Sequence, residues 1–153
     1  MRCRAATPED TEAFGERLAR HLPAGKPFAV IYLTGDLGAG KTTLARGFLR
    51  ACGVQGPVRS PTYTLVEAYD AGDLTLLHLD LYRLRDPSEL EPLGLREWAR
   101  PGHVWLIEWP ERGEGGLPQA DLTIALHAAA DAHEIAVEAH TAAGRQWLTA
   151  VAT

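Results

Sequence analysis

The segment Gly35-Asp36-Leu37-Gly38-Ala39-Gly40-Lys41-Thr42 constrains this chain more than any other. Before it stands the apolar run Phe28-Ala29-Val30-Ile31-Tyr32-Leu33, bounded by turn formers, which is the pattern of a strand buried on both faces. After it a helix is predicted from Lys41 to Cys52, closed by Gly53. Strand, glycine turn and helix occur in the order that G-x-x-x-x-G-K-[ST] requires. Glycines let the backbone curl until successive N–H groups of Asp36, Leu37, Gly38, Ala39 and Gly40 converge on an anion. The positive end of the helix faces the same point. Lys41 can carry a mobile charge to the β- and γ-phosphates of a nucleotide. Thr42 offers a hydroxyl oxygen to Mg²⁺, and Thr43 adds a phosphate contact. An ordinary glycine-rich helix cap would match by chance in roughly a percent or less of chains this size. No Asn-Lys-x-Asp segment supports guanine, so ATP is the expected nucleotide.

Two acidic segments follow. Leu77, Leu79 and Leu81 alternate with His78, Asp80 and Tyr82, so a strand there turns the two sets to opposite faces. The leucines suit a core, and Asp80 can then aim at Mg²⁺ or at an attacking water; a solvated polar face is the competing reading. Val104-Trp105-Leu106-Ile107-Glu108 is an apolar strand ending in an acid. Behind a phosphate loop, a carboxylate at that place holds the metal's water shell or polarises a water. Trp109 packs beside such a site or into the core, and Glu111 is the neighbour that could be mistaken for Glu108. Ser60-Pro61-Thr62-Tyr63-Thr64 lies where many NTPases place a nucleotide-sensing loop, with Thr62 able to reach the γ-phosphate or Mg²⁺; a rigid turn explains the composition equally well.

The remaining chain reads as a short edge strand within Met1–Ala6, a helix opened by Thr7-Pro8-Glu9-Asp10, strands Tyr63–Tyr69 and Leu74–Tyr82 about the turn Asp70–Asp73, helical turns around Gly94, a loop Pro110–Pro118, strands Leu122–Leu126 and Glu134–His140, and a terminal helix Thr141–Val151. The 153 residues suit one domain spanning 1–153. A net charge of −5 offers no field to steer broad, unaided binding to nucleic acid or anionic membrane. No apolar run approaches the ~20 residues of a membrane helix. Cys3 and Cys52 have neither metal-ligand spacing nor a disulfide framework, which reads as reduced thiols in a cytoplasmic protein.

Taken together, the phosphate loop through Thr43, Ser60-Pro61-Thr62-Tyr63-Thr64-Leu65-Val66, His78-Leu79-Asp80-Leu81-Tyr82-Arg83-Leu84 and Glu108-Trp109-Pro110 resemble the bacterial TsaE (YjeE-like) ATPases of tRNA threonylcarbamoyladenosine biosynthesis. The resemblance covers about Ile31 to Pro118. It implies an α/β fold, a single P-loop NTPase-like domain with a central mixed sheet flanked by helices. It implies binding of ATP and Mg²⁺ and slow hydrolysis by the protein alone. It also implies action with the TsaD and TsaB proteins, which transfer the threonylcarbamoyl group to adenosine 37 of tRNA, so that tRNA is met only through that assembly. Carried to matching positions, Lys41 and Thr42 serve phosphate and metal. Thr62, Asp80 and Glu108 serve metal, γ-phosphate or water, Trp109 shapes the site or a partner surface, and the regions of Thr11 and His133 flank the adenine.

Few arginines are evident near the phosphates, so transition-state charge is under-compensated and a partner is expected to complete the site. Two other functions fit parts of the pattern. A small-molecule P-loop kinase would use Asp80 as base and Arg83–Arg100 as lid. A nucleotide-gated binding module would need no chemistry at all.

Overall fold

The computed structural model describes residues 1–153. Seven strands form one mixed sheet: β1 (Arg2–Ala5), β2 (Ala29–Thr34), β3 (Val66–Ala71), β4 (Leu74–Asp80), β5 (His103–Glu108), β6 (Leu122–Ala128) and β7 (His133–Ala139). Their order is β1-β7-β6-β2-β5-β4-β3. β2 lies in the middle, parallel to β5 and β6, and β5 is parallel to β4. The outer pairings, β3 with β4 and β1–β7–β6, are antiparallel. The parallel centre explains the uninterrupted apolar runs of β2 and β5, since both faces of these strands are covered.

Three helices complete the fold: α1 (Pro8–Arg20), α2 (Lys41–Ala51) and α3 (Ala142–Ala152). Thr7 opens α1 with a capping box. Its hydroxyl accepts the Asp10 N–H at 3.2 Å, and the Asp10 carboxylate accepts the Thr7 N–H at 3.2 Å. Thr141 caps α3 by accepting the Gly144 N–H at 2.9 Å.

The strand alternation sorts the core into two clusters. Ile31, Leu33, Leu76, Val104 and Leu106 point toward α1 and α2, where they meet Phe14, Leu18, Leu44 and Phe48. Val30, Leu77, Leu79, Leu81, Trp105 and Ile107 form the other cluster with Leu84, Leu90 and Leu95. That second face is covered by the 3-10 turns Pro87–Leu93 and Leu95–Trp98. The expected separation of the β4 leucines from His78 and Asp80 therefore holds. The polar set, however, is not solvated: His78 and Asp80 are buried on the helix-bearing face.

Several boundaries differ from the sequence expectation. β3 starts at Val66, not Tyr63, because the Leu65 N–H bonds the Pro61 carbonyl at 2.7 Å and Leu65 is left-handed at φ 67°. β4 stops at Asp80, where the Leu81 N–H turns to the Glu108 carbonyl at 3.0 Å. The β3–β4 turn is Gly72-Asp73 alone. Pro110–Gly113 is a 3-10 turn within the expected loop. No helix is long and apolar enough to cross a membrane.

One contact gave no signal at the sequence level. Gly15 of α1 and Gly47 of α2 let the two helices touch backbone to backbone. A Cβ on Gly15 would stand 2.1 Å from the Leu44 carbonyl oxygen, and one on Gly47 would stand 2.0 Å from that of Glu12. This approach sets α1, and with it Thr11, against the N-terminal end of α2. Gly47→Ala is expected to destabilise the fold by about 1–3 kcal/mol, because backbone cannot yield to the added methyl. Thermal unfolding checks this. Helix propensity alone would give the opposite sign, a gain of about 1 kcal/mol.

Candidate functional site

β2 delivers the chain into the glycine loop, and the loop delivers it into α2. Gly35, Gly38 and Gly40 take φ values of 136°, 78° and 104°, a conformation that side-chained residues rarely adopt. No side chain caps α2, so the first N–H groups of the helix face the loop's concavity unpaired by any cap. Leu37, Gly38, Lys41 and Thr42 line one wall of a cleft of about 220 Å³. Ser60, Thr62, Asp80, Tyr82, Arg83, Glu108 and Trp109 line the rest. The sequence-predicted residues of four separate segments thus meet in one place.

Lys41 is buried at the start of α2. Its ammonium donates to the carbonyls of Gly35 and Asp36, the latter at 2.8 Å, and lies 4.5 Å from the centre of the Trp109 ring. Burial pulls its pKa below the ordinary lysine value; the carboxylates of Glu108, Asp80, Glu111 and Asp36 act in the opposite direction.

Glu108 ends β5 and Asp80 ends β4, and the parallel register pairs the two directly. The Thr42 hydroxyl donates to the Glu108 carboxylate at 3.0 and 3.1 Å. Beside it runs a second chain. The Thr62 hydroxyl donates to Asp80 at 2.9 Å, which leaves the Ser60 hydroxyl, 2.7 Å away, to donate to Thr62. The Tyr82 N–H completes Asp80 at 3.0 Å. Thr42, Glu108, Asp80 and Thr62 form a cluster of hard oxygen donors, the set that suits Mg²⁺ completed by phosphate and water.

Trp109 is bent into the left-handed region at φ 58° immediately after Glu108. A tryptophan pays strain for this conformation, and strain of that kind collects at functional turns. Its N–H bonds the Leu33 carbonyl at 3.3 Å and its ring packs on Tyr82 with centroids 5.0 Å apart. The bend carries the ring over Lys41.

Thr11 and His133 come from opposite ends of the chain and meet at Gly40. A Cβ added to Gly40 would lie 3.4 Å from the Thr11 methyl and 3.4 Å from His133 Nδ1. Thr11 is buried and its hydroxyl has no partner. Asp36 lies within the loop and Thr43 is the second threonine of α2's first turn, and neither lines the cleft.

Sequence reasoning missed Arg83. It is the only arginine lining the cleft, and its guanidinium stacks 4.3 Å above the ring of Tyr63. Tyr63, at 81% exposure, and Leu37 are the exposed large hydrophobic residues of the molecule; Leu37 lines the cleft, and Tyr63 touches its lining through Arg83. The available signals were Arg83's place three residues after Asp80 in the His78–Leu84 segment and at the start of the stretch that a kinase would use as a lid.

The family model described as threonylcarbamoyl adenosine biosynthesis protein TsaE matches residues 5–136. The chain belongs to the TsaE family. The tRNA threonylcarbamoyladenosine biosynthesis protein TsaE of Haemophilus influenzae is 49% identical over 121 residues, 79% of this chain and 77% of the relative. Its namesake in Bacillus subtilis is 41% identical over 131 residues, 86% of this chain and 80% of the relative. The crystal structure of Bacillus subtilis YdiB superposes with a TM-score of 0.82 at 33% identity, covering 99% of this chain and 93% of that one. The TsaE resemblance and the α/β fold with its mixed sheet are thereby established, and the family name places the chain in tRNA threonylcarbamoyladenosine biosynthesis.

The charge arrangement is measurable. Lys41 should titrate below an ordinary lysine, and Glu108→Gln should lower it further, because Glu108 is the strongest of the charges that favour the ammonium. Following the Lys41 side-chain carbon shifts by NMR against pH checks both directions. An unchanged Lys41 in the Glu108→Gln protein would contradict this placement of charge.

Proposed function

We propose that the chain binds ATP with Mg²⁺ and hydrolyses it slowly, in support of threonylcarbamoyl modification of adenosine 37 in tRNA by TsaD and TsaB. The observation that carries this reading is the hydrogen bond from Thr42, on the phosphate-loop helix, to Glu108 at the end of the neighbouring strand. It joins a cradle for phosphate to a carboxylate, and neither group is explained by the fold. The reaction breaks the bond between the γ-phosphorus and the β–γ bridging oxygen, and the electron pair stays on ADP. A water oxygen bonds to the γ-phosphorus and releases a proton.

The N–H groups of residues 36–43 hold the phosphates, and Lys41 leaves the loop carbonyls to meet the β- and γ-oxygens. Thr42 and Glu108 hold Mg²⁺ with Asp80 beside them; bound there, the ion neutralises charge on the phosphate oxygens. Asp80 is the better placed carboxylate for the attacking water. It stands next to Thr62 on the loop, whereas Glu108 already receives Thr42. Thr11 and His133, brought together at Gly40, flank the adenine, and Trp109 packs over Lys41 at the edge of the site.

Slow turnover follows from the cations. The cleft's one arginine is stacked on an exposed tyrosine of the Ser60–Thr64 loop and bonds no carboxylate. Compensation of transition-state charge then depends on rearranging that loop, which a docked partner could do.

Reconstitution tests the reading. ATP hydrolysis should rise when TsaD, TsaB and tRNA are added, and the modified nucleoside should form. Asp80→Ala and Glu108→Ala should keep nucleotide affinity within a few-fold yet lose about 10²–10³ in turnover, with loss of modification. Fast hydrolysis indifferent to TsaD–TsaB would overturn the proposal. Modification that survives without hydrolysis would favour a nucleotide-gated module, and a phosphorylated small-molecule acceptor would favour a kinase.

A further inference from the structure

Behind Glu108, away from the cleft, stands His78. It lies on β4 two residues before Asp80 and on the same face of the sheet, with 0% of its surface exposed. Its Nε2 is 2.6 Å from Glu108 Oε2, and its Nδ1 has no partner at all. The strand positions around it that share this face, Leu76 on β4 and Leu106 opposite it on β5, belong to the apolar core beneath α1 and α2. A leucine would suit such a position. A buried imidazole with an unpaired nitrogen does not, and a buried orphan of this kind calls for a functional explanation.

We propose that His78 is the positioning residue of Glu108: a buried neutral imidazole whose single hydrogen bond locks the carboxylate in the orientation that faces Thr42 and the metal. The inference rests on the reading of Glu108 as a metal-side carboxylate.

The bonding selects the tautomer. An ionised carboxylate only accepts, so Nε2 carries the hydrogen and donates it. Nδ1 is then a bare lone pair, which tolerates apolar surroundings better than an unpaired N–H would. His78 thus donates a hydrogen bond and leaves the charge of Glu108 intact for a cation. The carboxylate is gripped from two directions: Thr42 reaches it from α2, at the cleft, and His78 reaches Oε2 from β4, inside the core. Without His78 the Glu108 side chain keeps only the partner that would itself be drawn to the metal. Hydrogen-bond partners of metal-holding carboxylates typically matter by about 10–100-fold in metal affinity or activity.

The experiment compares His78→Leu, which fills the space without a donor, with His78→Gln, whose amide N–H can stand in for Nε2–H. Mn²⁺ is titrated into the protein–ADP complex and free ion is read by electron paramagnetic resonance. The Mg²⁺ dependence of hydrolysis and thermal unfolding are measured alongside. His78→Leu should melt at or above the wild-type temperature and bind metal-free ADP as wild type does. Its Mn²⁺ affinity should fall, and its Mg²⁺ requirement rise, by about 10–100-fold, and His78→Gln should recover most of both. Wild-type metal dependence in His78→Leu overturns the proposal. So does a His78→Gln protein that melts normally and is as impaired as His78→Leu. If His78→Leu does not fold, His78→Asn, too short to reach Glu108, replaces it with the same two outcomes. Glu108→Ala is the control that separates the two readings. If it binds Mn²⁺ as wild type does, the metal-side assignment of Glu108 falls and this inference with it. If it loses Mn²⁺ while His78→Leu does not, only the role of His78 falls.

Discussion

The register between β4 and β5 is the constraint on which the rest of the site depends. Parallel pairing of Leu76 with Val104 and of His78 with Leu106 brings Asp80 level with Glu108 at the strands' carboxyl ends. A one-residue slip of β4 against β5 would turn Asp80 to the face opposite Glu108 and put leucines under α2, so the burial of Leu77, Leu79 and Ile107 enforces the register that aligns the carboxylates. The central strand β2, paired with β5, then sets the phosphate loop beside them. The Thr42–Glu108 hydrogen bond is the outcome of these two pairings.

The sheet divides its labour between faces. One carries Trp105 and the β4 leucines under short 3-10 turns and bears no group of the candidate site from its strands. The other carries His78, Asp80 and Glu108 on the same side as α1 and α2. Three polar residues inside an apolar layer are costly unless paired, and each is paired through the site: Asp80 with Thr62, Glu108 with Thr42, and His78 with Glu108. The core and the site are therefore one hydrogen-bonded arrangement, and changes to either are felt in the other.

Much of this was legible in the chain. The phosphate loop is a local feature, because glycine freedom and helix polarity act within ten residues, and its strand–turn–helix context could be read from hydrophobicity alone. The alternation of Leu77, Leu79 and Leu81 against His78 and Asp80 placed two faces correctly. Less legible were the start of β3, where the Leu65–Pro61 hydrogen bond holds a turn through residues of good strand composition, and Arg83, whose neighbour Tyr63 is twenty positions away. Gly15 and Gly47 carried no signal, since a glycine within a helix looks the same whether it meets solvent or another backbone.

The sequence by itself determined that a glycine-rich turn joins a buried strand to a helix, that Glu108 ends an apolar strand while Asp80 alternates with core leucines, and that the motifs together resemble one family. These follow from short-range physics and from spacing. Only the tertiary structure decided that Glu108 and not Glu111 meets Thr42, that Thr11 and His133 converge on Gly40, that Arg83 enters the cleft stacked on Tyr63, and that His78 is a buried partner of Glu108 instead of part of a solvated face. Each of these is a contact between residues far apart in the chain, created by strand register and helix packing, and no local pattern encodes which partner a side chain will find.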